Sequence, residues 1–121
     1  MKDPKKEKNN RKTGGNYEQA AGFYLEQHGY QILQYNYRCR IGEIDIVAKE
    51  GENLVFCEVK YRTGPGKGSP LEAVDARKQR KIFQAAMYYL TEHHISNVPC
   101  RFDVIGIERT RIQLVKNAFC G

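Results

Sequence analysis

Two apolar stretches separated by a short polar link carry acidic residues in the middle of what the pattern predicts to be β-strands. Residues 42–48 read GEIDIVA and residues 54–60 read LVFCEVK. Both stretches alternate with the period of two that is typical of strands. Gly51 can adopt a positive φ at the first central position of a two-residue turn. We therefore expect an antiparallel hairpin in which Glu50 faces Asn53.

The same alternation predicts which side chains of the hairpin share a face of the sheet. In the first strand, one face carries Ile44, Ile46 and Ala48, and the other carries Glu43, Asp45 and Val47. In the second strand, the side chains of Val55, Cys57 and Val59 oppose those of Leu54, Phe56, Glu58 and Lys60.

The predicted register places Asp45 opposite Glu58, and Glu43 opposite Lys60. Directly opposed side chains have Cβ atoms about 5 Å apart, and like charges there are destabilising. At that separation and an effective dielectric constant of ~20, two carboxylates repel by about 3 kcal/mol. A shared divalent cation would remove this repulsion, and Mg²⁺ favours sites of one or two carboxylates with waters and phosphates. The alternative is a solvated polar face whose charges neutralise one another.

An aspartate, a hairpin turn and Glu-X-Lys form the motif of the PD-(D/E)XK nuclease superfamily, and this chain carries them as Asp45 with Glu58-Val59-Lys60. The wider pattern resembles the YraN family, small proteins similar to archaeal-type Holliday junction resolvases. The matching segments lie in one order along most of the chain: residues 18–21, 29–33, 42–45, 56–60, 72–74 with Lys78, and 101–105. The resemblance implies a restriction-endonuclease-like α/β sandwich, with a central mixed sheet flanked by helices.

The resemblance also implies a catalytic site. Asp45, Glu58 and the Val59 carbonyl would hold Mg²⁺ or Mn²⁺, and Glu18 would complete the site or support a second ion. Lys60 would orient or deprotonate the attacking water, or stabilise charge at the phosphate. Glu18 has a simpler explanation as well, because it falls in the first turn of a predicted helix, where the dipole favours an anion. The implied substrate is DNA, branched or damaged, and a homodimer is an expectation by analogy.

The remaining periodicities predict the element order α-β-β-β-α-β-β within one domain over residues 16–121. The helices cover residues 16–28 and 69–92, and the strands flanking the hairpin cover residues 30–37, 100–108 and 111–115. Gly29 suits the end of the first helix, and Ser69 suits the start of the second, with Glu72 closing a capping box. The connection through the second helix predicts that the next strand runs parallel to an earlier one.

Basic residues cluster in the predicted tail and beyond the hairpin, within a net charge of +6. Residues 1–15 contain six Lys or Arg against two acids and have no apolar periodicity. We expect a disordered tail that either adds salt-dependent affinity for phosphates or only aids solubility. The candidate nucleic-acid contacts are Arg62 and Lys67 of a glycine-rich loop and Arg77 and Lys78 of the second helix. Lys78 interrupts an apolar stripe and is predicted to face the sheet.

Asp103 lies inside an apolar strand, and we expect a buried partner such as an arginine rather than a metal ion. Four cysteines without C-x-x-C spacing argue against a zinc site or a disulfide framework. No apolar run approaches the ~20 residues of a membrane span. The N-terminus also lacks the apolar core of a secretory signal. A soluble, cytoplasmic protein without membrane partners is therefore expected.

The sequence thus predicts a metal-dependent endonuclease acting on DNA. Two alternatives stay open. The first is a non-catalytic nucleic-acid-binding module that retains the nuclease fold. The second is a protein-interaction scaffold with no affinity for nucleic acid, in which the basic tail serves solubility alone.

Overall fold

A five-stranded mixed sheet is the central layer of the computed structural model, which describes residues 17–62 and 70–119. Its strands lie in chain order across the sheet. The β3–β4 pair is parallel, and the other neighbouring pairs are antiparallel. The strands are β1 (Gln31–Arg38), β2 (Glu43–Glu50), β3 (Asn53–Arg62), β4 (Cys100–Glu108) and β5 (Arg111–Phe119). The predicted tail over residues 1–15 lies outside the described residues.

Two helices pack against this sheet. Helix α1 covers residues 17–27, and helix α2 covers Ala76–Glu92. The order α1-β1-β2-β3-α2-β4-β5 confirms the predicted order, and α2 supplies the crossover that a parallel pair of strands requires. Within the described ranges, neither helix has the length and apolar character needed to cross a membrane.

The prediction of a continuous helix from Ser69 to Glu92 is wrong at its start. Pro70–Ala73 form a separate 3-10 turn, and α2 begins after Asp75. The Asp75 carboxylate accepts a hydrogen bond of 2.9 Å from the backbone N–H of Lys78, which makes Asp75 the N-cap. The predicted cap, Ser69, lies outside the described residues. The predicted end of the helix at Glu92 is confirmed.

The hairpin turn and the end of α1 are both built at glycines with positive φ, as predicted. Gly51 has a φ of 62°, and Glu50 pairs with Asn53 across the turn. Gly29 has a φ of 93° and follows the last turn of α1. The backbone N–H of Tyr30 then donates to a carbonyl oxygen of that turn, which closes the helix end.

Each face of the sheet is covered by one apolar cluster. The α2-side cluster includes Phe56, Ile82, Tyr89 and Val104, and the α1-side cluster includes Leu25, Val55, Cys57 and Ile105. Fully burying one such large apolar side chain stabilises the fold by about 1.5–3 kcal/mol. Burial on both faces therefore fixes α1 and α2 on opposite sides of the sheet.

Strand β2 changes faces at Asp45. Ile44 and Val47 belong to the α2-side cluster, whereas Ile46 and Ala48 belong to the α1-side cluster. Residues two apart in a regular strand share a face. The prediction that Ile44 and Ile46 share a face is therefore wrong.

Strand β1 changes faces at the same level. Tyr35 pairs with the α1-side residue Ile46, and its hydroxyl lies against α1. Tyr37 pairs with the α2-side residue Ile44 and joins the α2-side cluster. Asn36, between the two tyrosines, has a left-handed φ of 53°. The two paired strands therefore rotate together at one point along their length.

Asp103 of β4 is completely buried, and its carboxylate is surrounded by hydrogen-bond donors. Arg101 donates to both oxygens at 3.0 Å, the Tyr30 hydroxyl donates at 2.9 Å, and the Asn117 backbone N–H donates at 2.9 Å. Arg101 also contacts Glu50 at 2.6 Å. The expected arginine partner of Asp103 is confirmed.

Replacing Asp103 with alanine should lower the free energy of unfolding by about 3–5 kcal/mol, because it removes one of the two carboxylates paired with the partly buried Arg101 and the acceptor of the Tyr30 hydroxyl. Urea denaturation measures the change. Glu72→Ala removes an exposed carboxylate from the 3-10 turn and is the control, with an expected change within about 0.5 kcal/mol. A loss below about 1 kcal/mol for Asp103→Ala would contradict the structural role.

Candidate metal centre

Three carboxylates converge near the start of β2. Glu43 and Asp45 lie on β2, and Glu18 lies in the first described turn of α1. One carboxylate oxygen of each residue lies within 4.8 Å of those of the other two. Glu18 and Glu43 are half-buried, and Asp45 is buried. The structure thus places the predicted site residues Glu18 and Asp45 together and adds Glu43, whose role the sequence left open.

A backbone hydrogen bond from β3 fixes Asp45. Ladder pairing between β2 and β3 extends from Glu50–Asn53 to Ile46–Cys57. Just beyond it, the Val59 N–H donates to Asp45 Oδ2 at 2.8 Å. The side chain of Asp45 therefore takes a donor that a regular ladder would give to a carbonyl oxygen of the neighbouring strand.

Glu58 lies next to this group of carboxylates and is paired with two lysines. Its side chain is 5 % exposed. Its Oε2 atom is 3.4 Å from Lys78 Nζ and 3.9 Å from Lys60 Nζ. The contact from α2 confirms that Lys78 faces the sheet. Glu58 is not one of the three carboxylates that lie within 4.8 Å of one another, but the charge of Asp45 raises its pKa, so the two acids interact.

Glu43 has a different partner from the one its register predicts. Its Oε1 atom is 3.1 Å from Arg38 Nε on the neighbouring strand β1. Lys60, the predicted partner, instead lies beside Glu58. Because Arg38 approaches from the edge strand, it compensates part of the negative charge of Glu43 at the rim of the site.

Burial and mutual repulsion raise the pKa values of the site acids. Burial, followed by the charge of Asp45, raises the pKa of Glu18 to about 7. The same two causes raise the pKa of Glu58 to about 7. Burial also raises the pKa of Asp45, against the opposing effect of the Val59 N–H. Among the described residues, the four acids are paired with three cations: Arg38 contacts Glu43, and Lys60 and Lys78 contact Glu58.

The donor set of Glu18, Glu43 and Asp45 fits a hard divalent cation. The three groups offer carboxylate oxygens, which are the ligands that Mg²⁺ and Mn²⁺ prefer. Their spacing allows one ion to contact all three after small side-chain movements. A bound cation would also relieve the mutual repulsion that, together with burial, raises the pKa values of Glu18 and Asp45.

Asn36 is a residue of the site that the sequence analysis did not single out. It lies opposite Asp45 in the β1–β2 register, and its amide acts on Glu18, where it opposes the rise in pKa that burial and the charge of Asp45 cause. Only a weak feature of the sequence pointed to Asn36. Asparagine is depleted in strands and tolerates left-handed backbone, so its presence inside a strand pattern is unusual.

A stacked tyrosine pair joins the two segments that carry Glu18 and Lys60. The rings of Tyr17 and Tyr61 lie 3.8 Å apart at an angle of 10°. Tyr17 directly precedes Glu18, and Tyr61 directly follows Lys60. The contact therefore holds the start of α1 against the end of β3, beside the candidate centre.

The predicted nucleic-acid contacts have separate locations. Arg77 is exposed on the first turn of α2, whereas Lys78 points toward Glu58. Arg62 ends β3, where the structure describes the backbone but not the side chain, and Lys67 lies outside the described residues.

Other exposed cationic side chains lie on the start of α2 and around the β1–β2 loop. Lys81 lies one turn after Arg77 on α2, and its Cβ faces Gly42 of the β1–β2 loop. The same loop contains the exposed Arg40 and adjoins Arg38. We call Arg38, Arg40, Arg77 and Lys81 the basic rim.

Fold and site together define a mixed α/β protein with a carboxylate centre at the start of its second strand. Residues 17–107 match the model of a family described as "Uncharacterised protein family UPF0102". The chain is 52% identical over 112 residues to a UPF0102 protein of Lachnoclostridium phytofermentans, covering 92% of this chain and 95% of the relative. It is 45% identical over 114 residues to one of Syntrophus aciditrophicus, covering 91% and 90%. The chain belongs to the UPF0102 family, which is the YraN-type family that the motifs predicted.

The stability of the metal-free protein should fall as pH rises from about 4.5 to about 7. The pKa of Glu58 is about 7 in the folded state against 4.5 ordinarily, so the folded protein binds more protons than the unfolded chain across this window. Glu58 alone would lower the free energy of unfolding by at most about 3 kcal/mol.

Urea denaturation in EDTA at several pH values tests this dependence against Glu58→Gln, which does not titrate. The wild type should lose stability relative to the variant as pH rises through the window. Parallel pH profiles for the two proteins would show that Glu58 is not responsible.

Proposed function

We propose that this protein is a metal-dependent nuclease of the restriction-endonuclease-like fold that hydrolyses phosphodiester bonds of DNA. The observation that carries the proposal is the convergence of Glu18, Glu43 and Asp45 beside the buried Glu58, with Lys60 within reach of that group. A chain under selection for stability alone would not gather four carboxylates in a partly buried place.

Asp45, Glu18 and Glu43 are the proposed holders of Mg²⁺ or Mn²⁺, with Glu58 and the Val59 carbonyl as the further ligands that the motif implies. A divalent cation bound there would neutralise the scissile phosphate and activate a water for in-line attack. The Val59 N–H keeps Asp45 oriented toward the other acids.

Lys60 is the proposed partner of the attacking water. The Lys60 side chain is about one-third exposed, and its Nζ atom lies 3.9 Å from Glu58 Oε2. It is therefore held beside the acids while remaining accessible to a substrate phosphate. From that position it can orient the water, or stabilise the negative charge that develops on the phosphate. Lys78 approaches Glu58 from α2 and limits the net charge of the site.

The basic rim supports DNA as the substrate. Its arginines and lysine are exposed and lie on the two segments that flank the start of β2. Such side chains contact phosphates irrespective of base sequence. Arg62, Lys67 and the basic residues 1–15 would extend this contact. By analogy with similar resolvases, the substrate is branched or damaged DNA, the active form is a homodimer, and the protein acts in the cytoplasm.

A non-catalytic nucleic-acid-binding module is the second candidate, and one observation favours it. Glu58 is already paired with Lys78 and lies near Lys60, so cations of the protein itself contact the acid that a metal ion would bind. In that case the basic rim would bind DNA, and the acids would be a remnant of a nuclease site.

The decisive assay incubates the protein with supercoiled, single-stranded and four-way-junction DNA in Mg²⁺ or Mn²⁺. Asp45→Ala and Lys60→Ala should each reduce the cleavage rate at least about 100-fold, because each removes stabilisation of the transition state. Lys49→Ala, at an exposed position on the same strand as Asp45, is the control and should leave the rate unchanged. Cleavage that survives both substitutions would come from another site. Wild-type protein that cleaves none of the substrates would favour the binding module.

Affinity for DNA should depend strongly on salt, and removal of residues 1–15 should weaken both the affinity and its salt dependence. Each lost phosphate contact lowers the slope of log K against log salt by about 0.9 for duplex DNA. Fluorescence anisotropy at several salt concentrations measures both quantities. Arg77→Ala should lower the slope by about 1, whereas Lys49→Ala should not change it. Binding that is flat across salt would support a scaffold without nucleic-acid affinity.

A further inference from the structure

The rotation of β1 and β2 at one level determines where the carboxylate of Asp45 lies. A regular strand would direct residue 45 to the face opposite Ile44 and Ile46, but these two neighbours themselves lie on opposite faces. The side chain of Asp45 instead lies beside β3 and accepts the Val59 N–H at 2.8 Å. Asp45 can reach both β3 and Glu18 only because the strand rotates at this residue.

The rotation of β2 requires the same rotation in β1. The two strands remain paired on both sides of the rotation, at Tyr35–Ile46 and Tyr37–Ile44. In β1 the rotation occurs at Asn36, whose backbone has a left-handed φ of 53°. Residues other than glycine rarely adopt a left-handed backbone conformation, and asparagine tolerates it better than most. Position 36 therefore requires a residue that tolerates a left-handed backbone conformation.

The side chain of Asn36 makes a second link. Glu18 of α1 lies close to the carboxylates of Asp45 and Glu43. Burial and the charge of Asp45 raise the pKa of Glu18, and the amide of Asn36 opposes that rise by favouring the ionised carboxylate. One residue therefore combines the backbone conformation that directs Asp45 with the amide group that orients Glu18.

We propose that Asn36 is a positioning residue of the carboxylate centre, acting through its left-handed backbone on Asp45 and through its amide on Glu18. The identity of the bound ion rests on the proposed function, whereas the arrangement of the three acids does not. Glycine at position 36 would keep the backbone conformation and remove the amide. Alanine would remove the amide and also disfavour the backbone conformation.

Isothermal titration with Mn²⁺ and thermal denaturation separate these two contributions. Asn36→Gly should bind Mn²⁺ about 10-fold more weakly at an unchanged Tm, because Glu18 loses its orienting donor. Asn36→Ala should show at least the same weakening together with a lower Tm. Asn97→Gly is the matched control: Asn97 is an exposed asparagine with a φ of 58°, and its replacement should leave Mn²⁺ affinity unchanged. A purely structural role would lower Tm in Asn36→Ala without any effect of Asn36→Gly on Mn²⁺ binding, and that result would overturn the proposal.

The nuclease proposal and the positioning role of Asn36 can fail separately. If wild-type protein binds Mn²⁺ without cleaving DNA, the nuclease proposal falls, and the Asn36 variants still decide the positioning role. If it does not bind Mn²⁺, a metal-free crystal structure of Asn36→Gly decides. In the wild type, carboxylate oxygens of Glu18 and Asp45 lie within 4.8 Å of each other, and in this variant they should lie further apart than that. An unchanged separation in that variant would overturn the positioning role.

Discussion

The hydrogen bond from the Val59 N–H to the carboxylate of Asp45 is the contact around which the site is organised. It forms just beyond the ladder pairing of β2 with β3, where a side chain can take a donor from the neighbouring strand. Because Asp45 is held there, Glu18 from α1 and Glu43 from the same strand come close to it, and its charge acts on Glu58. The elevated pKa values of Glu18, Asp45 and Glu58 follow from burial and then from this crowding. The four acids together form a place suited to a divalent cation.

The protein contains another buried acid, Asp103, whose surroundings are the opposite of those around Asp45. Asp103 is completely buried, yet Arg101, Tyr30 and Asn117 donate to both of its oxygens. Such an acid is part of the framework, since its charge is compensated inside the fold. The acids around Asp45 have donors too, but fewer than their charge requires. The difference in compensation, rather than burial itself, separates a structural carboxylate from a candidate functional one.

Much of the fold was predictable because it depends on local patterns. Period-two alternation located β2, β3 and β4, Gly51 located the hairpin turn, and Gly29 located the end of α1. The start of α2 was predicted wrongly, since two sets of capping residues compete within a few positions. The one at Asp75 begins the helix, whereas the earlier segment Pro70–Ala73 forms a 3-10 turn.

The sequence by itself determined the helices and strands, their order, and the presence of Asp45, Glu58 and Lys60 on two adjacent strands. These features follow from short-range periodicity and from the residues that form turns. Tertiary structure decided which charges meet. Glu43 joins Glu18 and pairs with Arg38, and Lys78 joins Lys60 at Glu58. The physical reason is the joint rotation of β1 and β2. The direction of the side chains there depends on a residue with a left-handed backbone and on packing against two helices. The alternation pattern along a single strand does not encode either of these.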